Sequence, residues 1–262
     1  MKIKLIIIAS LLAISAIANC QPESEINKTD PEGKKQGHWI KKYPGKSVLY
    51  EGYFKDDHPV GEFKRYYEDE KLKSLLIYNS DGTEAAATIY HPNGFIAAKG
   101  RYVNQMKEGK WQFFSFIFEG YLISEETYSG NLKNGPSVKF YRDSTIAERI
   151  NYVNDVRQGD WIRYYPTGEI CFKSHLLNGI LNGRFEVWFE NGQIEFSGQY
   201  KNDAREGLWF IYNSDGTIKY SLEYKDGFTR DLKLDIDESA ILDSLENNAG
   251  KIADPEKSGV IR

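Results

Sequence analysis

From Gly37 onward, apolar rings and aliphatic side chains return in fixed phase, with glycine again at 61, 109, 135, 159, 183 and 207. The period is 24 residues, interrupted only by Ala85 and by one spacing of 26. Two positions past the repeat glycine stands Trp39, Phe63, Trp111, Trp161, Phe185 or Trp209, and five past it Tyr66, Tyr90, Phe114, Phe140, Tyr164, Trp188 or Tyr212. This segment predicts a first strand that begins at the glycine and carries rings on both faces, because strand side chains alternate. A turn follows, written as Pro92-Asn93-Gly94, Pro166-Thr167-Gly168, Glu190-Asn191-Gly192 or Ser214-Asp215-Gly216, and Asn-Gly or Asp-Gly between apolar runs is a hairpin signal. Beyond it an aliphatic residue recurs, as in Ile96, Ile146, Ile170, Ile194 and Ile218, with Tyr102, Tyr152, Tyr200 or Tyr224 six residues later on four of the same strands. The even separation puts both on one face of a second strand. A loop such as Asn202-Asp203-Ala204-Arg205-Glu206 returns the chain to the next glycine.

Twenty-four residues suffice for two strands and two turns but not for a crossover helix or an independent core, so the units must stack on one another. Short connections make antiparallel neighbours. The expectation is therefore all-β: an elongated antiparallel meander of about eight hairpin repeats over residues 37–231, extending on the order of 75 Å at ~4.8 Å per strand.

Two units depart from the pattern. At Ala85-Ala86-Ala87 the glycine and its aromatic are replaced although Tyr90, Ile96 and Tyr102 stay in phase, which predicts a unit that is kept but poorly packed. Between Trp111 and Tyr128 two residues are added in Phe116-Ile117-Phe118-Glu119-Gly120-Tyr121, which predicts a longer or bulged hairpin with an apolar tip. Such a tip has no core to join, so Phe116, Phe118 and Tyr121 are candidate partner-binding residues. Trp188 joins them because it occupies the fifth position, where other units have Tyr or Phe. The default reading of the remaining rings is packing between hairpins; the functional reading is an exposed aromatic ladder.

The ends read differently. Residues 1–20 resemble an export signal: Lys2 and Lys4, an apolar run from Leu5 to Ala18 too short to span a membrane, then small residues. Two cleavages fit, one making Cys20 a lipidated first residue and the other following Ala18 through Ala16-x-Ala18. Either route exports the chain to the cell envelope, and the first adds a membrane tether through Cys20. The polar stretch 21–36 predicts a disordered tether. After Gly227, Ile241, Leu242 and Leu245 share one helical face, so 232–262 predicts a short capping helix and a tail.

Composition supports β structure, with Tyr 18, Phe 14, Trp 5 and Gly 23. The net charge of -4 is made of interleaved signs, which gives no footprint for nucleic acid. Only Cys171 lies in the repeat body, so no internal disulfide framework is available.

The run Phe196-Ser197-Gly198-Gln199-Tyr200, followed by Gly207, resembles the MORN repeat (membrane occupation and recognition nexus), as does Tyr50-Glu51-Gly52-Tyr53-Phe54 leading to Gly61. Ala98-Lys99-Gly100-Arg101-Tyr102 to Gly109 matches except at its first ring, and other units lose the middle glycine. These departures resemble the bacterial MORN-variant family, whose members are commonly assigned as antitoxin components of toxin–antitoxin modules. The resemblance implies a protein-binding role. A cytoplasmic antitoxin would need no export signal, so a neutralising partner outside the cytoplasm or a surface adaptor fits better.

No nucleophile elbow, phosphate loop or H-E-x-x-H motif occurs, so the sequence points away from an enzyme and implies neither a cofactor nor a small-molecule substrate. His38, His58, His91 and His175 fall in different units at different offsets and are expected as turn or strand residues rather than metal ligands. Asp235, Asp237, Ser239, Asp243 and Glu246 have the spacing of a calcium loop, but Ala240 stands where its sharp turn needs glycine, and a capped acidic helix accounts for the same residues. Two readings remain: a scaffold that binds an unidentified protein partner, and a cell-wall or carbohydrate-binding aromatic array similar to choline- and glucan-binding repeats.

Overall fold

The computed structural model describes residues 26–231. The lipidation candidate Cys20, the export signal, the capping helix and the calcium-like spacing at Asp235–Glu246 lie outside them. The strands are β1 (Lys28–Thr29), β2 (Lys35–Lys42), β3 (Val48–Lys55), β4 (His58–Tyr66), β5 (Leu72–Tyr78), β6 (Glu84–Tyr90), β7 (Ile96–Val103), β8 (Met106–Phe114) and β9 (Leu122–Ser129). They continue as β10 (Leu132–Phe140), β11 (Ile146–Val153), β12 (Val156–Tyr164), β13 (Ile170–Leu177), β14 (Ile180–Trp188), β15 (Ile194–Lys201), β16 (Ala204–Tyr212), β17 (Ile218–Lys225) and β18 (Phe228–Thr229). Each strand pairs antiparallel with the next in the chain, from β1–β2 to β17–β18. The described chain is thus one open meander, in which β2 to β17 form eight hairpins.

The connection between units is tighter than the predicted five-residue loop. Asn202 and Asp203 both have positive φ, and Lys201 pairs directly with Ala204. The pattern repeats at Asp56-Asp57, Asn104-Gln105 and Asn154-Asp155, the two-residue turn whose twist matches that of the flanking strands. Ala204, Arg205 and Glu206 therefore belong to a strand, and the repeat glycine lies inside it rather than at its start. There the register jumps: Ser174 faces Phe185 while Leu176 faces Leu181, so the residues around Gly183 bulge out of the ladder. Gly183 has φ +126, and Gly61, Gly109 and Gly207 have φ +64, +69 and +71. The repeat glycine is required by backbone conformation.

The glycine between the two aromatics has a different cause. Gly52, Gly100 and Gly198 need no positive φ, but a Cβ on any of them would fall inside the ring of Phe63, Trp111 or Trp209. On the buried face the second-position rings alternate across the sheet with these slots: Gly52 faces Phe63, Phe63 faces Leu76, Trp161 faces Ser174, and Phe185 faces Gly198. Over Gly198, Phe185 and Trp209 approach to 5.4 Å although a whole strand separates them. Phe185 has a small neighbour on both sides, Ser174 and Gly198, whereas Phe63 and Trp161 have one on one side only, with Leu76 or Ile150 on the other.

The expected disordered tether over 21–36 is corrected where it is described. Asn27 N–H donates to the His38 carbonyl at 2.8 Å, the Ile40 N–H donates to Asn27 Oδ1 at 2.8 Å, and Trp39 Nε1 donates to the Lys28 carbonyl at 3.0 Å. These bonds are to the first repeat, so the polar local composition did not disclose them. The sheet begins with β1, and the first hairpin starts before Gly37.

Candidate functional site

The added residues of the 26-residue unit form a loop between β8 and β9 that is two residues longer than the neighbouring turn from His91 to Phe95. Ser115 organises it: its N–H donates to the Tyr121 carbonyl at 2.9 Å, and its Oγ accepts from the N–H groups of Ile117 and Phe118 at 3.0 and 3.1 Å. Asn93 Nδ2 donates to the Phe116 carbonyl at 2.7 Å from the adjacent unit. Phe116 meets buried His91 edge-on at 5.3 Å, and the Arg142 guanidinium lies 3.8 Å from the Phe118 ring centre. The tip is therefore held from both sides, yet Phe116, Ile117 and Phe118 remain 45%, 74% and 41% exposed.

Tyr121 has a different job. Its hydroxyl donates to the Phe140 carbonyl at 2.8 Å. Equivalent bonds run from Tyr43 to Tyr66, Tyr67 to Tyr90, Tyr141 to Tyr164 and Tyr165 to Trp188, at 2.6–3.0 Å. Tyr43, Tyr67, Tyr141 and Tyr165, one place beyond the fifth-position ring, and Tyr121 at the end of the inserted loop thus latch five units to the next, while His91 Nε2 lies 3.1 Å from the Phe114 carbonyl in the same place. Sequence reasoning missed this ladder, although the recurrence of Tyr43, Tyr67, Tyr141 and Tyr165 six places past the repeat glycine was available to find it. Trp188 is half-buried at the end of β14, its carbonyl the acceptor of one such latch, well separated along the chain from the tip. The structure brings Phe116, Phe118 and Tyr121 together and leaves Trp188 apart.

Other rings are consumed by packing. Trp111, Trp161 and Trp209 are essentially inaccessible. The fifth-position ring faces the other side: the Tyr66 hydroxyl donates to Glu51 at 2.5 Å, and burial together with that carboxylate holds its pKa well above the usual phenol value.

The buried face is not one continuous apolar core. One cluster runs from Phe63 to Tyr128 and a second from Ile150 to Tyr224. Between them Glu126 faces Ser137, and Ser137 faces Ile150. Glu126 accepts from Tyr128 at 2.6 Å and pairs with Lys133 at 2.7 Å; Glu148 pairs with Lys139 at 2.8 Å and accepts from Trp161 Nε1 at 3.2 Å. This polar seam interrupts the aromatic row while the hydrogen-bonded ladder continues through it.

Among the described residues no group of three or more His, Cys, Asp or Glu side chains could hold a metal ion. His38 stacks on Tyr53 at 5.0 Å, and His175 Nδ1 lies 3.0 Å from Asp160. Cys171 is half-buried, and burial pushes its thiol pKa up, which makes it a poorer nucleophile.

Comparison with known proteins agrees with the hairpin geometry. The MORN repeat variant family matches residues 59–80, 157–178, 181–202 and 205–226. Four of the stacked units match that repeat model. Each matched segment starts near the beginning of an even-numbered strand and ends at or just beyond the odd-numbered strand that follows, so the family unit is the hairpin with its bulge glycine inside. No curated protein matches. Among solved structures, the crystal structure of TcdB2-TccC3 is similar at 12% identity and a TM-score of 0.19, over 77% of this chain and 12% of that chain. The chain therefore spans a small fraction of that protein's length.

Proposed function

We propose that this chain is a non-enzymatic interaction scaffold, carried to the cell envelope by its N-terminal signal, that binds a protein partner through the tip Phe116-Ile117-Phe118. The observation that carries the reading is that tip. In the stack of MORN-variant hairpins other turns are polar, whereas this one presents three consecutive large apolar side chains to solvent on a loop fixed by Ser115, Asn93 and Arg142. An ordered, exposed apolar patch lowers the entropy lost on association and supplies desolvation energy to a complementary surface. Neutralisation of an exported toxin would be one form of such binding. The carbohydrate-array alternative needs rings free to stack on sugars, and the burial of Trp111, Trp161 and Trp209 weighs against it.

The test is capture from envelope extracts with the wild-type chain and with Phe116→Ser/Ile117→Ser/Phe118→Ser. Enrichment of a defined protein by the wild type and its loss from the triple variant is expected. Equal enrichment by both, or cosedimentation with purified peptidoglycan in place of any protein, would overturn the reading.

A further inference from the structure

Two units lack the second-position ring, with Ser137 in one and Ala87 in the other. Ala87 stands where six other units place a Trp or Phe, and its cross-strand neighbours are Leu76 and Gly100. Elsewhere two small residues are never set side by side on this row without a large side chain leaning over them. Here Trp111 covers Gly100, while β6 contributes to the row only the methyl group of Ala87. A pocket of about 380 Å³ opens over the residues around it, walled by Leu76, Ile89, Tyr78 and Tyr102 with Ser74 and Gln105 adding polar groups, a volume at the lower end of the range for small-ligand sites. Tyr78 and Tyr102 both face Ala85, and in units that keep their ring the equivalent tyrosines pack on it: Tyr200 lies 5.2 Å from both Phe185 and Trp209.

The rim is cationic. Arg65 and Lys73 line the same pocket. Among the described residues neither pairs with a carboxylate: the Arg65 guanidinium lies 5.9 Å from the Phe63 ring centre, and Lys73 Nζ lies 5.4 Å from that of Tyr67. The carboxylates nearest in register are engaged elsewhere, Glu51 with Tyr66 and Glu62 with Lys64. A ring-sized slot with apolar walls at Leu76 and Ile89 and two cations at its rim selects a planar group that carries negative charge, because the ring takes the place of the missing side chain while the anion meets charge-assisted donors.

We propose that this pocket is a ligand site for a small aromatic carboxylate, the ring entering the slot left by Ala87 and the carboxylate meeting Arg65 and Lys73. The site is independent of the apolar tip. Its occupant supplies the ring that the sequence omits, and therefore also tightens the weakest unit of the stack.

The probe is indole-3-acetate, titrated against the full chain by ligand-observed NMR, with tryptamine as the same ring bearing the opposite charge. Saturable binding is expected with a Kd of about 0.1–1 mM, as suits a ligand of this size, and none for tryptamine. Ala87→Phe fills the slot from inside and should abolish binding without lowering Tm. If that variant fails to fold, Arg65→Gln/Lys73→Gln decides, with an expected weakening of about tenfold or more. Absence of saturation below about 10 mM, equal binding of tryptamine, or unchanged affinity in a folded Ala87→Phe or in the Gln pair would overturn the proposal. Substituting residues 116–118 should leave indole-3-acetate binding unchanged, which separates this site from the partner-binding reading.

Discussion

Gly198→Ala tests the packing rule directly. The backbone at Gly198 is ordinary strand, so a methyl group meets no conformational barrier, and in an open strand the change would stabilise by about 0.4–1 kcal/mol through the unfolded chain. Here the new Cβ would lie inside the Trp209 indole, well under the 3.0 Å below which Cβ contacts are essentially never seen. Trp209 cannot swing clear: it is 1% exposed, with Phe185, Tyr200 and Tyr224 at ring distances of 5.4, 5.2 and 6.0 Å. Overpacking of this kind costs about 1–3 kcal/mol. The clash outweighs the entropy gain, leaving a net loss of roughly 1–2 kcal/mol and a Tm lower by about 2–8 °C for a chain of this size.

Gly207→Ala provides the contrast. Its φ is +71 and nothing lies within 4 Å of a Cβ placed there, so its cost of about 1 kcal/mol is purely one of backbone handedness. Thermal and denaturant unfolding of both variants, alone and combined with Trp209→Leu, separates the causes through a double-mutant cycle. With the indole removed, Gly198→Ala should become neutral or stabilising, while the cost of Gly207→Ala should persist. If Gly198→Ala is equally damaging with and without Trp209, the argument that this glycine exists to admit a ring is wrong.

Two further outcomes follow from the latches and the turns. Tyr165→Phe removes the hydroxyl that donates to the Trp188 carbonyl at 2.6 Å and should destabilise by about 0.5–1.5 kcal/mol; conversely Phe189→Tyr, at the latch position of the next unit, should stabilise, and denaturant midpoints of the two variants moving in the same direction would refute the latch. Hydrogen bonds from Thr83, Thr145 and Thr217 hold the carboxyls of Asp81, Asp143 and Asp215 below the usual aspartate value, and the Lys110 ammonium does the same for Glu125. Depressed folded-state values mean that the unfolded chain binds more protons in acid. This contribution is therefore complete above about pH 5 and fades as pH falls through the folded values. Tm should be flat near neutrality and drop in acid, and a Tm independent of pH down to about 2 would count against it.

The repeat and both strands of each hairpin were legible because period and turn residues are local: Asn191-Gly192 announces its turn without knowledge of the rest of the chain. The start of the first strand was not. Ala204-Arg205-Glu206 is polar and reads as loop, yet it is strand, because the turn is completed by two left-handed residues, Asn202 and Asp203, and the repeat glycine is a bulge. Single-strand periodicity cannot show a register jump, which depends on the partner strand. The hairpin from Asn27 to Gln36 was hidden for the same reason, since its bonds go to β2. At the candidate site the apolar tip was legible from its insertion, and the weak packing at Ala87 from its missing ring. The cations that make that gap a selective pocket come from β4 and β5, which no local reading of β6 would supply.

A stack of identical units has little surface left for function, because each unit's rings, turns and tyrosines are consumed by the next. Function must then reside where the repeat is broken, since a broken position leaves a group that no neighbour takes up. The described chain breaks its own rule at Ala87, at residues 116–121 and at the Glu126–Ser137 seam. All three fall in consecutive units, between two regular stretches that retain their ring-and-slot order. The seam lies next to the tip, on the strand that leaves it, and it replaces fluid-tight ring packing with ion pairs whose geometry is directional. On the proposed reading, a partner holding Phe116 and Phe118 would load β9, the strand that carries Glu126 and its ion pair with Lys133 at the junction of the two apolar clusters. Strand pairing continues through the seam from β9 to β10 to β11, so the two apolar clusters are joined there by the backbone ladder and by ion pairs rather than by rings.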